Sequence, residues 1–106
     1  MRAGETAAMK TFRGDRTIDG LMVTVDGQPL PVRDEIKRFN ATGFEWGYEG
    51  AGPRQLAFAI LVAHLGDTAR ALALTEGFMR EGTANFNNEW EMTTADVDAI
   101  LATLGT

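Results

Sequence analysis

The stretch GFEWGYEGAGPRQLAFAILVAHL, residues 43–65, passes from a glycine-rich aromatic loop through Pro53 into an almost unbroken apolar run. The first turn of a helix leaves its N–H groups unused, so a proline costs nothing there, and Gly52-Pro53 marks a helix start with Pro53 at the first position. Leu56 to Ala63 is apolar on every side, which demands neighbours on most faces and makes this helix the centre of the fold. Gly66 ends it.

Working outward toward the C-terminus, Asp67 or Thr68 caps a second helix, Ala69 to Glu81, with Ala71, Leu74 and Phe78 on one stripe. The connection is short, so the two helices pack antiparallel. After a loop from Gly82 to Asn88, the alternation in Glu89 to Met92 predicts a short strand. Thr93 or Thr94 then caps a final helix, with Asp96 in its first turn and Val97, Ile100, Leu101 and Leu104 at i, i+3, i+4, i+7.

Toward the N-terminus, Asp34 to Phe39 predicts one or two helical turns, with acids first and bases last. Met9 to Arg13 and Leu21 to Val25 are β-type runs joined by the turn-rich GDRTIDG, an antiparallel hairpin. Asp26-Gly27 is a turn signal, after which Gln28-Pro29-Leu30-Pro31 is expected to leave the sheet, since proline cannot donate to a ladder. Residues 1–8, MRAGETAA, have little to bury and are expected to fray as a disordered tail. Residues 9–106 are therefore read as a small single α+β domain, an N-terminal β-hairpin plus a short third strand packed on three helices.

At 106 residues with 44% apolar side chains the chain can build one modest core. It carries 15 acidic against 10 basic residues, a formal charge of -5, which disfavours direct binding to nucleic acid or anionic lipid and suits a basic partner surface. Cysteine is absent, excluding disulfides, thiolate metal sites and thiol catalysis, and serine is absent too. The longest apolar run is too short to span a membrane and no apolar leader opens the chain, so a cytoplasmic protein is expected.

Two features of the central stretch carry site readings. Glycines at a helix start allow close approach to unpaired N–H groups, and Arg54 adds a guanidinium fork, so Gly50, Gly52 and Arg54 form a candidate anion site. The alternative is that these glycines only permit a tight turn into the helix. G-x-G-P matches neither a P-loop nor a dinucleotide fingerprint. Phe44, Trp46 and Tyr48, spaced at i, i+2, i+4, point one way if the segment is extended, as a core plug or as a stacking platform. Their neighbours Glu45 and Glu49 are acidic rather than cationic, favouring burial of Phe44 and Trp46. His64, the only histidine, lies three residues before Asp67, but with no serine or cysteine to activate it reads as a hydrogen-bonded helix-end residue. The scattered carboxylates have no metal-ligand spacing, and no cofactor is expected.

GFEWGY, the G-x-G-P of Gly50-Ala51-Gly52-Pro53, and Gln55-Leu56-Ala57 running on to Ala59-Ile60-Leu61 together resemble a bacterial and bacteriophage family, a domain of unknown function. Met9-Lys10-Thr11-Phe12-Arg13-Gly14, the Val25-Asp26-Gly27 turn and Trp90 ahead of a capping threonine extend the likeness over roughly residues 9–104. Similar members often place glycine at position 49 and serine at position 51, where this chain has Glu49 and Ala51. Both departures weigh against phosphate binding and serine chemistry. The phage and mobile-element setting that the resemblance implies makes a counter-defence role, such as an anti-CRISPR, an expectation.

Two functions follow from these readings. The first is a non-enzymatic binding protein that holds a host or phage protein through an acidic and aromatic surface: Glu45, Trp46, Tyr48 and Glu49. The second is a binder of a small anionic ligand such as a nucleotide at Gly50, Gly52 and Arg54.

Overall fold

A computed structural model describes residues 9–105 of the chain, and the tail expected at residues 1–8 lies outside them. Strands β1 (Thr11–Thr17), β2 (Gly20–Val25) and β3 (Gln28–Pro29) come first, followed by a long loop. Helices α1 (Ala51–Leu65) and α2 (Thr68–Glu81), a 3-10 turn (Thr83–Asn85), strand β4 (Glu89–Thr93) and helix α3 (Thr94–Thr103) complete the α+β domain. The antiparallel sheet has the order β3-β2-β1-β4. Phe12, Val23 and Met92 face inward and join Leu56, Phe58, Ile60, Leu61, Phe78, Val97 and Leu101 of the helices in one core. Arg13, Met22 and Glu91, on the other face of the same strands, are exposed. No helix among the described residues is long and apolar enough to cross a membrane.

The hairpin is longer and its turn tighter than the composition of GDRTIDG predicts. Gly14 through Thr17 continue β1, and Thr17 pairs with Gly20 across a turn of only Ile18 and Asp19. Pairing with β2 on one side and β4 on the other satisfies both edges of β1, which outweighs the weak strand preference of Gly14 and Asp15. The Asp26-Gly27 turn forms as expected, with φ of 52° and 83°, and the Asp26 carboxylate accepts from the Thr11 N–H at 2.9 Å. Gln28 and Pro29 do not leave the sheet as expected. They pair with Val25 and Thr24 as a short fourth strand, with Pro29 on the outer edge, where its missing N–H is not needed.

Helix α1 starts at Ala51, two residues earlier than predicted. Pro53 is its third residue, still within the first turn, and the Arg54 N–H makes a bond to the Gly50 carbonyl at 3.1 Å. Gly66, at φ 65°, closes the helix by donating to the Val62 carbonyl. The Asp67 carboxylate caps α2 through the Arg70 N–H, and Thr93 with Asp96 makes a reciprocal capping box at α3.

Asp34 to Phe39 forms one turn, the shorter of the expected one or two, and does not extend into a helix. The N–H groups of Ile36 and Lys37 both reach the Arg33 carbonyl, at 3.1 and 3.2 Å. Gln55, fully buried on α1, claims the rest of this segment: its Oε1 accepts from the N–H groups of Phe39 (2.6 Å) and Asn40 (3.2 Å). Its Nε2 donates to the carbonyls of Val32 (3.0 Å) and Lys37 (3.1 Å). All four hydrogen bonds of one amide thus replace the bonds a helix would have supplied.

Candidate functional site

The aromatic loop is anchored by Trp46, only 1% exposed, whose indole N–H donates to the Asn87 carbonyl at 2.8 Å. Trp46 meets Trp90 of β4 edge to face at 5.7 Å, and Phe86 stacks on Trp90 at 4.4 Å. The Trp90 ring lies directly over Gly14 of β1, where a side chain has no room. Gly47 then turns the chain, with φ 92° and its N–H donating to the Thr83 carbonyl at 2.9 Å. The three aromatics accordingly do not share a side. Phe44 is half-buried, Trp46 is buried, and Tyr48 stands 50% exposed.

The two tryptophans differ in one testable respect. Trp46 has a partner for its N–H, whereas the buried Trp90 Nε1 has none among the described residues. Trp46→Phe is expected to cost about 1–2 kcal/mol, from a lost hydrogen bond and lost volume. Trp90→Phe loses volume alone and relieves an unsatisfied donor, so it should cost less. Urea denaturation of both variants checks the order.

Arg16, at the end of β1, ties this anchor together. Its Nη2 donates to the Trp46 carbonyl at 2.9 Å and lies 2.9 Å from Glu45 Oε1, its Nη1 reaches Glu45 Oε2 at 3.2 Å, and its Nε donates to Asn88 Oδ1 at 3.2 Å. The guanidinium carbon also sits 4.9 Å from the centre of the Trp46 ring. Sequence reasoning missed this residue. The only signal for it was its i+2 spacing from Gly14 on the inward face of a strand longer than predicted.

Hydrogen bonding from Arg16 holds the Glu45 carboxyl below the usual glutamate value, against the opposing effect of desolvation. Hydrogen bonding from Arg54 does the same for Glu76. A lowered folded-state pKa adds stability that is complete above the unfolded value and is lost as pH falls through the folded one. Stability should therefore fall as pH drops below the ordinary glutamate range. Glu45→Gln should flatten part of that fall in urea midpoints measured from pH 6 down to pH 3. Both pairs are partly exposed, so the effect is modest and weakens with salt.

The remaining predicted residues form a second grouping. Arg54 does not present its guanidinium to an empty helix start: its Nε and Nη2 donate to the Glu76 carboxylate at 2.6 and 3.2 Å. Arg80 reaches the same carboxylate at 3.3 Å, and Glu49 lies 3.9 Å from Arg80. Hydrogen bonding to Glu76 raises the Arg54 pKa further. The Tyr48 ring covers Gly50 and the Glu45 side chain packs on Gly52, each so closely that a methyl group there would collide. The helix start is thus roofed by residues of its own loop.

Beside the aromatic anchor opens a concavity of about 720 Å³, lined by Arg16, Trp46, Tyr48 and the segment Phe86 to Glu89. His64 takes no part in it. Its Nε2 lies 2.7 Å from Asp98 of α3 rather than against Asp67, whose carboxylate is engaged as the α2 cap.

The chain belongs to the family of unknown function DUF6166, whose model matches residues 12–103. Neither a curated protein nor a solved structure matches it.

Proposed function

We propose that this member of the DUF6166 family works by binding a protein partner through Tyr48, Glu49 and the adjoining concavity. The observation that carries this reading is the contrast within one loop. Trp46 is buried and hydrogen-bonded, while Tyr48, two residues away, is held half-exposed by the same frame. A rigid aromatic with a polar tip supplies contact area at low entropic cost, which is why tyrosine is common where proteins meet. The small-anion reading is the weaker of the two, since Arg54 is engaged with Glu76 and the first turn of α1 is roofed by Tyr48 and Glu45. The phage setting and a host defence protein as the partner belong to this proposal.

The test is affinity capture from a bacterial host, followed by measured binding of the captured protein to Tyr48→Ala and Glu49→Lys. Both variants should melt close to the parent and lose most of the binding. Undiminished binding by both would move the interface away from this loop. A rise in melting temperature with millimolar nucleotide, abolished in Arg54→Ala, would instead favour the anion reading.

A further inference from the structure

Strand β4 closes the sheet on the side opposite β3 and, among the described residues, pairs with β1 alone. At its end the Thr94 N–H donates to the Lys10 carbonyl at 3.0 Å, which makes Lys10 and Thr94 a bonded pair. Bonded and non-bonded pairs alternate along an antiparallel ladder. Met92 and Trp90 therefore turn their N–H and C=O groups toward β1, and Glu91 and Glu89 turn theirs outward. The next outward N–H, that of Thr93, is already taken by the Asp96 carboxylate at 2.9 Å.

The side chains of Glu89 and Glu91 stand on the face of the sheet that no other described element covers, beside Arg13, Asp15, Met22 and Thr24, around a shallow concavity of about 580 Å³. The cation there, Arg13, pairs with Glu91 at 3.2 Å. Asp15 and Glu89 are direct cross-strand neighbours, and among the described residues neither has an ion pair. Like charges placed opposite one another repel, and an added cation relieves them.

We propose that the outer edge of β4 takes an extended basic segment of a partner protein as a fifth strand. Backbone groups of Glu89 and Glu91 supply the ladder, and Lys or Arg at alternate positions of the segment lie over Glu89, Glu91 and Asp15. A second copy of this chain fits the edge poorly, because antiparallel self-pairing sets Glu89 and Glu91 against their own counterparts. This inference rests on reading the protein as a binding module and names the chemistry of its partner, but it does not depend on Tyr48.

The test is titration of the isotope-labelled full chain with an alternating Lys-Thr heptapeptide, against an alternating Glu-Thr peptide as control, followed by amide NMR. The Lys-Thr peptide should give saturable shifts and exchange protection at Glu89 and Glu91, weakening with salt. Glu91→Pro deletes an outward N–H without touching the β1 ladder, so it should keep the fold and weaken binding by roughly tenfold. The double variant E89K/E91K should reverse the preference between the two peptides, which keeps the test decisive if Glu91→Pro fails to fold. Absence of shifts on β4, binding that survives Glu91→Pro in a folded protein, or self-association of the free chain through β4 would overturn the proposal. Tyr48→Ala should leave peptide binding intact, so failure of the loop reading and failure of this one are separately visible.

Discussion

Gly14→Ala is expected to lower stability by about 3 kcal/mol, near the upper end for overpacking a core. An added Cβ at residue 14 would lie 2.2 Å from Trp90 Nε1 and 2.3 Å from Cε2. Backbone strain plays no part, because Gly14 does not have the positive φ that marks Gly27 or Gly47. In an open strand the same change would bring a small gain, since glycine is entropically costly there. Here the indole cannot give way, being held between Trp46, which it meets edge to face, and the stacked ring of Phe86. The melting midpoint should fall by roughly 10–20 °C. Combining the change with Trp90→Leu, which empties the space above residue 14, should make the two effects strongly non-additive, and a double-mutant cycle measures that coupling. Additive effects would mean that the indole does not rest on Gly14.

Gln55→Leu is expected to cost about 3–4 kcal/mol although it preserves side-chain volume and adds apolar surface to an apolar helix. Ordinarily such a change in a core is neutral or favourable. In this position the amide accepts from the N–H groups of Phe39 and Asn40 and donates to the carbonyls of Val32 and Lys37, which have no other partner among the described residues. Leucine leaves all four without a bond, and each orphaned group costs on the order of 1–3 kcal/mol unless the segment lifts into water. Partial lifting keeps the total below the sum. Gln55→Glu should be no milder, because it keeps an oxygen for the Phe39 and Asn40 N–H groups but replaces the NH2 that serves both carbonyls with a second oxygen and buries a charge. Hydrogen exchange at the Phe39 and Asn40 amides distinguishes this account from a packing defect: both should exchange much faster in Gln55→Leu, while amides in the middle of α1 track only the global loss. A cost under about 1 kcal/mol would sink it.

These two residues also mark where the sequence was readable and where it was not. The helices were legible because their signals are local: the apolar run from Leu56, the stripe of α2, and the Thr93–Asp96 box each depend on residues within a few positions of one another. The charge pattern of Asp34 to Phe39 is a local signal for a helical turn, and one turn forms, whereas the partner of the Phe39 N–H is Gln55, 16 residues further on and invisible to that pattern. GDRTIDG misled. Its turn-like composition was overridden by pairing on both sides of β1, one of them with β4 more than seventy residues away.

The same division applies to the loop. The acidic neighbours favoured burial of Phe44 and Trp46, and the structure buries Trp46 while leaving Phe44 half-buried. The divergence of Tyr48 from Trp46 did not follow, because Gly47 admits backbone states that other residues avoid and only the Thr83 carbonyl selects one. Arg54 looked available in the sequence because Glu76 lies on the neighbouring helix, 22 residues further on.

By itself, then, the sequence determined the α+β class, the order of the helices, their caps and the central position of α1, since periodicity and capping act over one or two turns. Only the tertiary structure decided that Gln55 replaces a helix, that Arg16 clamps the aromatic anchor, and that Tyr48 and the β4 edge face outward. Those outcomes rest on hydrogen bonds and ion pairs between residues far apart in the chain, whose geometry exists only after α1 and the sheet have packed together.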